Sequence, residues 1–217
     1  YWKAADGTGK DEFLGDVPGL AIFPASWSDD GKTMVFAGGN TRAMDFDIGV
    51  LSIEGDRKAG LLLREKYYEA QPQISPDGRW MAYTSNESGQ NQIYVRPFPD
   101  VEGGRWQVST TGGDSPLWSP DGRELFFRNG DAVMAVSAKT DPAFSVETPR
   151  TLFRGTYVSS VFAYGSWDFS TWDISPDGKR FLMMKEPEGL TSAEGGPRRI
   201  NIVLNWFEEL KQRVPLK

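Results

Sequence analysis

The chain contains no histidine and no cysteine. Without imidazole there is no Ser-His-Asp triad, no histidine general base and no histidine metal site. Without a thiol there is no thiolate nucleophile, no disulfide and no cysteine-bound zinc. The lack of cysteine suits the cytosol and the oxidising exterior alike, so it leaves the compartment open. Long apolar runs are missing too: no stretch of about 18 apolar residues is available for a membrane helix. No signal-peptide pattern is present. Positive charge is in the minority, with 24 Lys and Arg against 30 Asp and Glu and a net charge of −6, which argues against nucleic acid as a partner. Neither a Gly-x-Ser-x-Gly elbow nor a Gly-rich phosphate loop occurs. The chain opens on Tyr1-Trp2-Lys3 rather than Met, which reads as an excised or processed piece.

What is present is apolar and turn-rich. Hydrophobic residues make up 39% of the 217 and aromatics 13%, enough for a core, so disorder is not expected. The 24 Gly and 14 Pro cluster at turns, as many short strands require. One phrase recurs four times: Trp27-Ser28-Asp29-Asp30-Gly31-Lys32, Ile74-Ser75-Pro76-Asp77-Gly78-Arg79, Trp118-Ser119-Pro120-Asp121-Gly122-Arg123 and Ile174-Ser175-Pro176-Asp177-Gly178-Lys179. Pro presets φ at the first corner, Asp bonds nearby backbone and Gly takes positive φ, so each phrase predicts a hairpin turn. Apolar runs follow each: Met34-Val35-Phe36, Trp80 to Tyr83, Leu125-Phe126-Phe127 and Phe181-Leu182-Met183. The turn glycines lie 47, 44 and 56 residues apart. A period of roughly 40–50 residues with several short strands per unit marks β-propeller blades.

The expected fold is all-β: a β-propeller or propeller fragment of about four to five four-stranded blades with a short C-terminal helix. One domain covers 1–217. A partial blade occupies 1–20, full blades 21–68, 69–112 and 113–168, a final blade 169–205, and the helix and tail 206–217. The helix places Trp206, Phe207 and Leu210 on one face. Val35, Trp80, Ala82, Phe126 and Leu182 are the expected blade-to-blade core. An arc that does not close alone leaves apolar faces and strand edges open, so upstream blades, a second copy, or a strained closure in which Tyr1 to Leu14 packs on the final blade are expected to cover them.

Ser-Pro-Asp-Gly, Tyr83-Thr84-Ser85-Asn86-Glu87-Ser88-Gly89 and Ile93-Tyr94-Val95 resemble the TolB-type, WD-repeat-like propeller. The closing Ile202 to Leu210 looks like the C-terminus of large bacterial proteins in which such a propeller follows a protein kinase or DNA-binding module. The resemblance implies a periplasmic or otherwise extracytoplasmic sensing or protein-binding domain with no catalytic residues to carry over. Related propellers also cap prolyl oligopeptidase-like enzymes.

Candidate sites are few. The turn aspartates Asp30, Asp77, Asp121 and Asp177 read as turn caps rather than a carboxylate ring. Asp45 and Asp47 sit in a polar loop; calcium wants six or more oxygens and no full pattern is present, so no metal and no cofactor is expected. The segment Tyr157 to Trp172 is crowded with Tyr157, Phe162, Tyr164, Trp167, Phe169 and Trp172, beside Asp168 and Asp173. It connects one blade to the next innermost strand, which places it at a mouth of the central channel, where an aromatic rim can contact a ligand. The equivalent connections, Glu69-Ala70-Gln71 and Gly112 to Ser115, are polar and expected to face a wet channel. Tyr164, Trp167, Asp168, Asp114, Glu69 and Gln71 are thus the candidate binding residues for a protein or small ligand. Two functions follow: a non-catalytic interaction or ligand-sensing module, or a hydrolase or substrate-gating propeller using carboxylates alone, with Glu69, Asp114 and Asp168 as candidates.

Overall fold

The computed structural model describes residues 1–40, 45–55, 57–158 and 170–185. Four antiparallel sheets follow one another along the chain. The first is built from β1 (Ala21–Trp27), β2 (Thr33–Asn40), β3 (Asp45–Ser52) and β4 (Ala59–Leu63) in that order. The second holds β5 (Glu69–Ile74), β6 (Trp80–Ser85), β7 (Gln92–Pro97) and β8 (Trp106–Gln107). In the third, β9 (Asp114–Trp118), β10 (Glu124–Asn129) and β11 (Ala132–Lys139) are joined at the outer edge of β11 by both β12 (Ser145–Val146) and β13 (Arg150–Arg154). The fourth shows β14 (Trp172–Ile174) paired with β15 (Phe181–Met183). The expected all-β architecture of successive four-stranded units is present. The rest of the expected final blade beyond residue 185 and the C-terminal helix lie outside the described residues.

The four recurring phrases make one turn. In each, the Gly N–H donates to the Ser carbonyl, at 2.9, 2.8, 2.9 and 2.7 Å along the chain. Each Asp accepts the Ser hydroxyl, at 2.6, 2.5, 2.7 and 2.5 Å, and the backbone N–H two residues on. The Ser Oγ in turn accepts the N–H of Thr33, Trp80, Glu124 or Arg180, at or just before the start of the next strand, at 2.9–3.0 Å. The glycines have φ of 67 to 71°, a region costly to residues with a Cβ. The turn aspartates are caps. The hydroxyl of Ser28 holds Asp30 below the usual carboxylate range, and Ser119 and Ser175 do the same for Asp121 and Asp177.

Successive sheets pack face to face, so both faces of the middle strands are covered. In β6, Trp80 and Ala82 join Ile93 and Val95 of their own sheet and pack with Trp118, Leu125 and Phe127 of the third. Met81 and Tyr83, on the other face, meet Val35, Ile48 and Leu63 of the first. In β10, Phe126 turns the opposite way from Leu125 and Phe127 and joins Trp172 and Phe181. This double covering produces runs of consecutive apolar residues rather than in–out alternation. Four of the five expected core residues, Val35, Trp80, Ala82 and Phe126, are buried. Leu182 is not: it is 75% exposed, because its β15 neighbours Phe181 and Met183 take the face toward the third sheet.

Indole N–H groups stitch neighbouring inner strands. Trp118 Nε1 donates to the Gln73 carbonyl at 3.2 Å, and Trp172 Nε1 to the Ser115 carbonyl at 3.1 Å. Between the first two sheets, the Ile74 N–H donates to Ser26 Oγ at 3.2 Å. At the N-terminus, the segment expected to form a partial blade makes a single bridge, Trp2 to Glu12, and leads to Leu14, which is buried against Phe36 and Leu51. Asp45 and Asp47 lie on β3, not in a loop, and no cluster of three or more metal-ligating side chains occurs among the described residues. Among the described residues no helix is long and apolar enough to cross a membrane.

Candidate functional site at the head of the inner strands

The first strands of the second and third sheets are interrupted near their starts. The β5–β6 register shifts between Ala70 and Gln73, and the β9–β10 register shifts between Asp114 and Leu117. Such bulges re-aim side chains. Gln71 and Ser115 occupy the two bulges with φ of 56° and 54°. Both are L-residues in the left-handed region, and both precede a proline, a position that favours extended backbone. Such strain persists only where surrounding contacts hold it.

The contacts run between sheets. Gln71 Oε1 accepts the Ser115 N–H at 2.7 Å and the Thr84 hydroxyl at 2.8 Å. The Ser115 carbonyl accepts the Trp172 indole N–H. Ser115 is therefore held by the second sheet at its amide and by the fourth at its carbonyl. Asp114, on the same strand, accepts the Ser115 hydroxyl at 2.7 Å.

Beside this latch is a cavity of about 220 Å³. The inner strand β1 lines it with Phe23, Pro24 and Ala25, β5 with Gln71 and Gln73, and β9 with Ser115 and Pro116; Ser170 completes the wall. Three consecutive sheets thus contribute their inner strands to one small, partly polar hollow.

Glu69 opens β5 and is 1% exposed. Its Oε1 accepts the Ser85 hydroxyl at 3.3 Å, while its Oε2 has no partner among the described residues. Burial, seconded by the charge of Glu65, pushes its carboxyl up to about 7. Glu65 itself pairs with the buried Arg96, whose Nε donates to the Tyr83 hydroxyl at 2.9 Å and whose Nη1 donates to the Val101 carbonyl at 3.1 Å.

Of the sequence-derived candidates, the structure brings Gln71 to the cavity and Asp114 beside it, and it buries Glu69. Tyr164, Trp167 and Asp168 lie outside the described residues. The polar connections were expected to face a wet channel. Glu69, Gln71 and Ser115 are instead buried, Gln71 and Ser115 because their polar atoms bind across sheets. Trp172 is core, stacked on Phe181 at 5.4 Å. Phe23, Pro24, Gln73, Ser115 and Ser170 were missed. The available signal was the x-Pro pair three residues before the turn serine, at Gln71-Pro72 and Ser115-Pro116.

Face-to-face packing of four-stranded antiparallel sheets, inner strand first, defines a β-propeller. The TolB beta propeller domain family matches residues 5–151, and the chain belongs to that family. It is 28% identical over 168 residues to an uncharacterised protein of Agrobacterium fabrum, a match covering 73% of this chain and 53% of that one. Among solved structures, a protein from Agrobacterium tumefaciens assigned provisionally as TolB aligns with a TM-score of 0.55 at 24% identity, over 79% of this chain and 61% of that one. A puromycin-hydrolyzing peptidase of Mycobacterium tuberculosis aligns with a TM-score of 0.57 at 15% identity, over 76% of this chain and 28% of that one. The chain spans about half the length of the curated relative it matches.

Proposed function

We propose that this chain is a non-catalytic protein-interaction or ligand-sensing module that seats a partner side chain or small polar ligand in the cavity at the head of its inner strands. The observation that carries this reading is the paired left-handed Gln71 and Ser115, tied across sheets beside a hollow lined by three inner strands. A latch of this kind fixes the wall before anything binds, which lowers the ordering cost of association. Of the carboxylates offered for hydrolysis, Asp168 lies outside the described residues. Glu69 is buried, and Asp114 is engaged by the Ser115 hydroxyl.

A photo-crosslinking side chain at Ala25, on the cavity wall, tests this in the protein exposed to an extract of its native cell. It should yield a discrete adduct that the same group at the exposed Glu102 does not. Equal labelling at both positions would count against the cavity. Reproducible turnover of glycosides, esters or peptides that Asp114→Asn abolishes would replace the reading with an enzymatic one.

A further inference from the structure

The Ser-Pro-Asp-Gly turns lie at the opposite end of the inner strands from the axial cavity. There the turn proline of one sheet rests on the turn glycine of the next. A methyl placed on Gly122 would stand 3.6 Å from Pro76 Cδ, and one on Gly178 would stand 3.5 Å from Pro120 Cδ, ordinary contact distances. The remaining junction between described turns, that of the first and second sheets, departs from this. The first turn carries Asp29 where the others carry proline, and a methyl on Gly78 would meet nothing within 4 Å. At that junction lies a groove of about 610 Å³. Asp29 and Asp30 line it from one turn, Asp77 and Gly78 from the next, with Val50 and Phe98 between.

The groove is acidic, but its carboxylates are not equivalent. Asp30 is used by Ser28 and the Lys32 N–H, and Asp77 by Ser75 and Arg79. Asp29 has no hydrogen bond or ion pair among the described residues. Lys58 is the one basic side chain in the lining, against three carboxylates. We propose that this groove docks a basic peptide segment of a partner protein, with a lysine or arginine stem along Val50 and Phe98 and its cation at Asp29. Such side chains join an apolar stem to a charged head, which matches a lining with apolar residues and a carboxylate. The volume suits a few side chains. An acidic or wholly apolar segment would desolvate Asp29 without pairing it, which is costly. This surface is distinct from the axial cavity, so the two readings stand or fall separately.

The test uses two blocked pentapeptides, Ac-Ala-Lys-Ala-Arg-Ala-amide and Ac-Ala-Glu-Ala-Gln-Ala-amide, titrated into the isotope-labelled chain. The basic peptide should move the backbone resonances of Val50, Gly78 and Phe98, less so as salt is raised. The acidic one should not. Asp29→Asn should weaken binding about fivefold, the scale of a solvent-accessible ion pair. Asp29→Pro, which restores the closure seen at the other two junctions, should abolish it, and both variants should keep their melting temperature. Millimolar basic peptide without shifts, equal binding of the acidic peptide, unchanged binding to both variants, or shifts confined to Gln71 and Ser115 would each overturn the groove as the site.

Discussion

Replacing Gly49 with Ala should cost about 3 kcal/mol of stability, a large overpacking penalty for a single methyl. Gly49 on β3 pairs directly with Phe36 on β2. The ring lies over the glycine: a Cβ there would fall 2.1 Å from Phe36 Cζ and 2.2 Å from its Cε2, and 2.9 Å from the Gly60 carbonyl oxygen. Phe36 is fully buried among Leu14, Met34, Leu51 and Ile53, so the ring has no free direction in which to retreat. The backbone of Gly49 is ordinary strand, so the loss comes from collision rather than from φ. Phe36→Leu removes the colliding atoms and should itself cost less than a truncation to Ala. The double variant should therefore be more stable than Gly49→Ala alone, a coupling that urea unfolding of the three proteins would measure. Strictly additive losses would show that the ring and the glycine do not share this space.

Glu69→Gln should leave stability nearly unchanged at pH 5 and raise it at pH 8. The sign follows from proton binding. The folded carboxyl sits at about 7 against an ordinary value of 4.5, because burial, and then the nearby Glu65 charge, disfavour its ionised form. The folded state thus holds the proton more tightly than the unfolded chain, and stability falls as pH rises through the window from about 4.5 to about 7. Glutamine imitates the neutral acid and escapes that loss. The gain at pH 8 should be on the order of 2–3 kcal/mol, because each tenfold difference in proton affinity is worth roughly 1.4 kcal/mol. No histidine titrates in this window, since the chain has none. Denaturant midpoints of the two proteins at pH 5, 6, 7 and 8 would trace the difference. A constant gap across that range would mean Glu69 is ionised throughout.

The turn phrases were legible because their chemistry is local. Ser, Asp and Gly bond one another and the next strand within five residues, so Ser75 to Trp80 forms the same hairpin corner as Ser119 to Glu124 whatever surrounds them. From those corners and the apolar runs beside them, the strands and their succession into sheets could be read along the chain. So could the core positions Val35, Trp80, Ala82 and Phe126, but not Leu182. Nothing local distinguishes Leu182 from Phe181; which of them is buried depends on the side from which the third sheet approaches.

Turn residues and apolar runs in order suffice for the repeated hairpins, and with them for the all-β, propeller-type architecture. The sites exist only in the packed molecule. Gln71 meets Ser115 across 44 residues, and Trp172 meets Ser115 across 57, and these bonds hold two pre-proline residues in a conformation their sequence disfavours. The same holds for the groove at Asp29. Asp for Pro is visible in the sequence as a departure from a repeat, but it becomes an opening only because packing sets each turn proline against the next sheet's glycine. Bonds within a turn are specified by neighbours in the chain, whereas contacts between sheets exist only once the sheets have stacked.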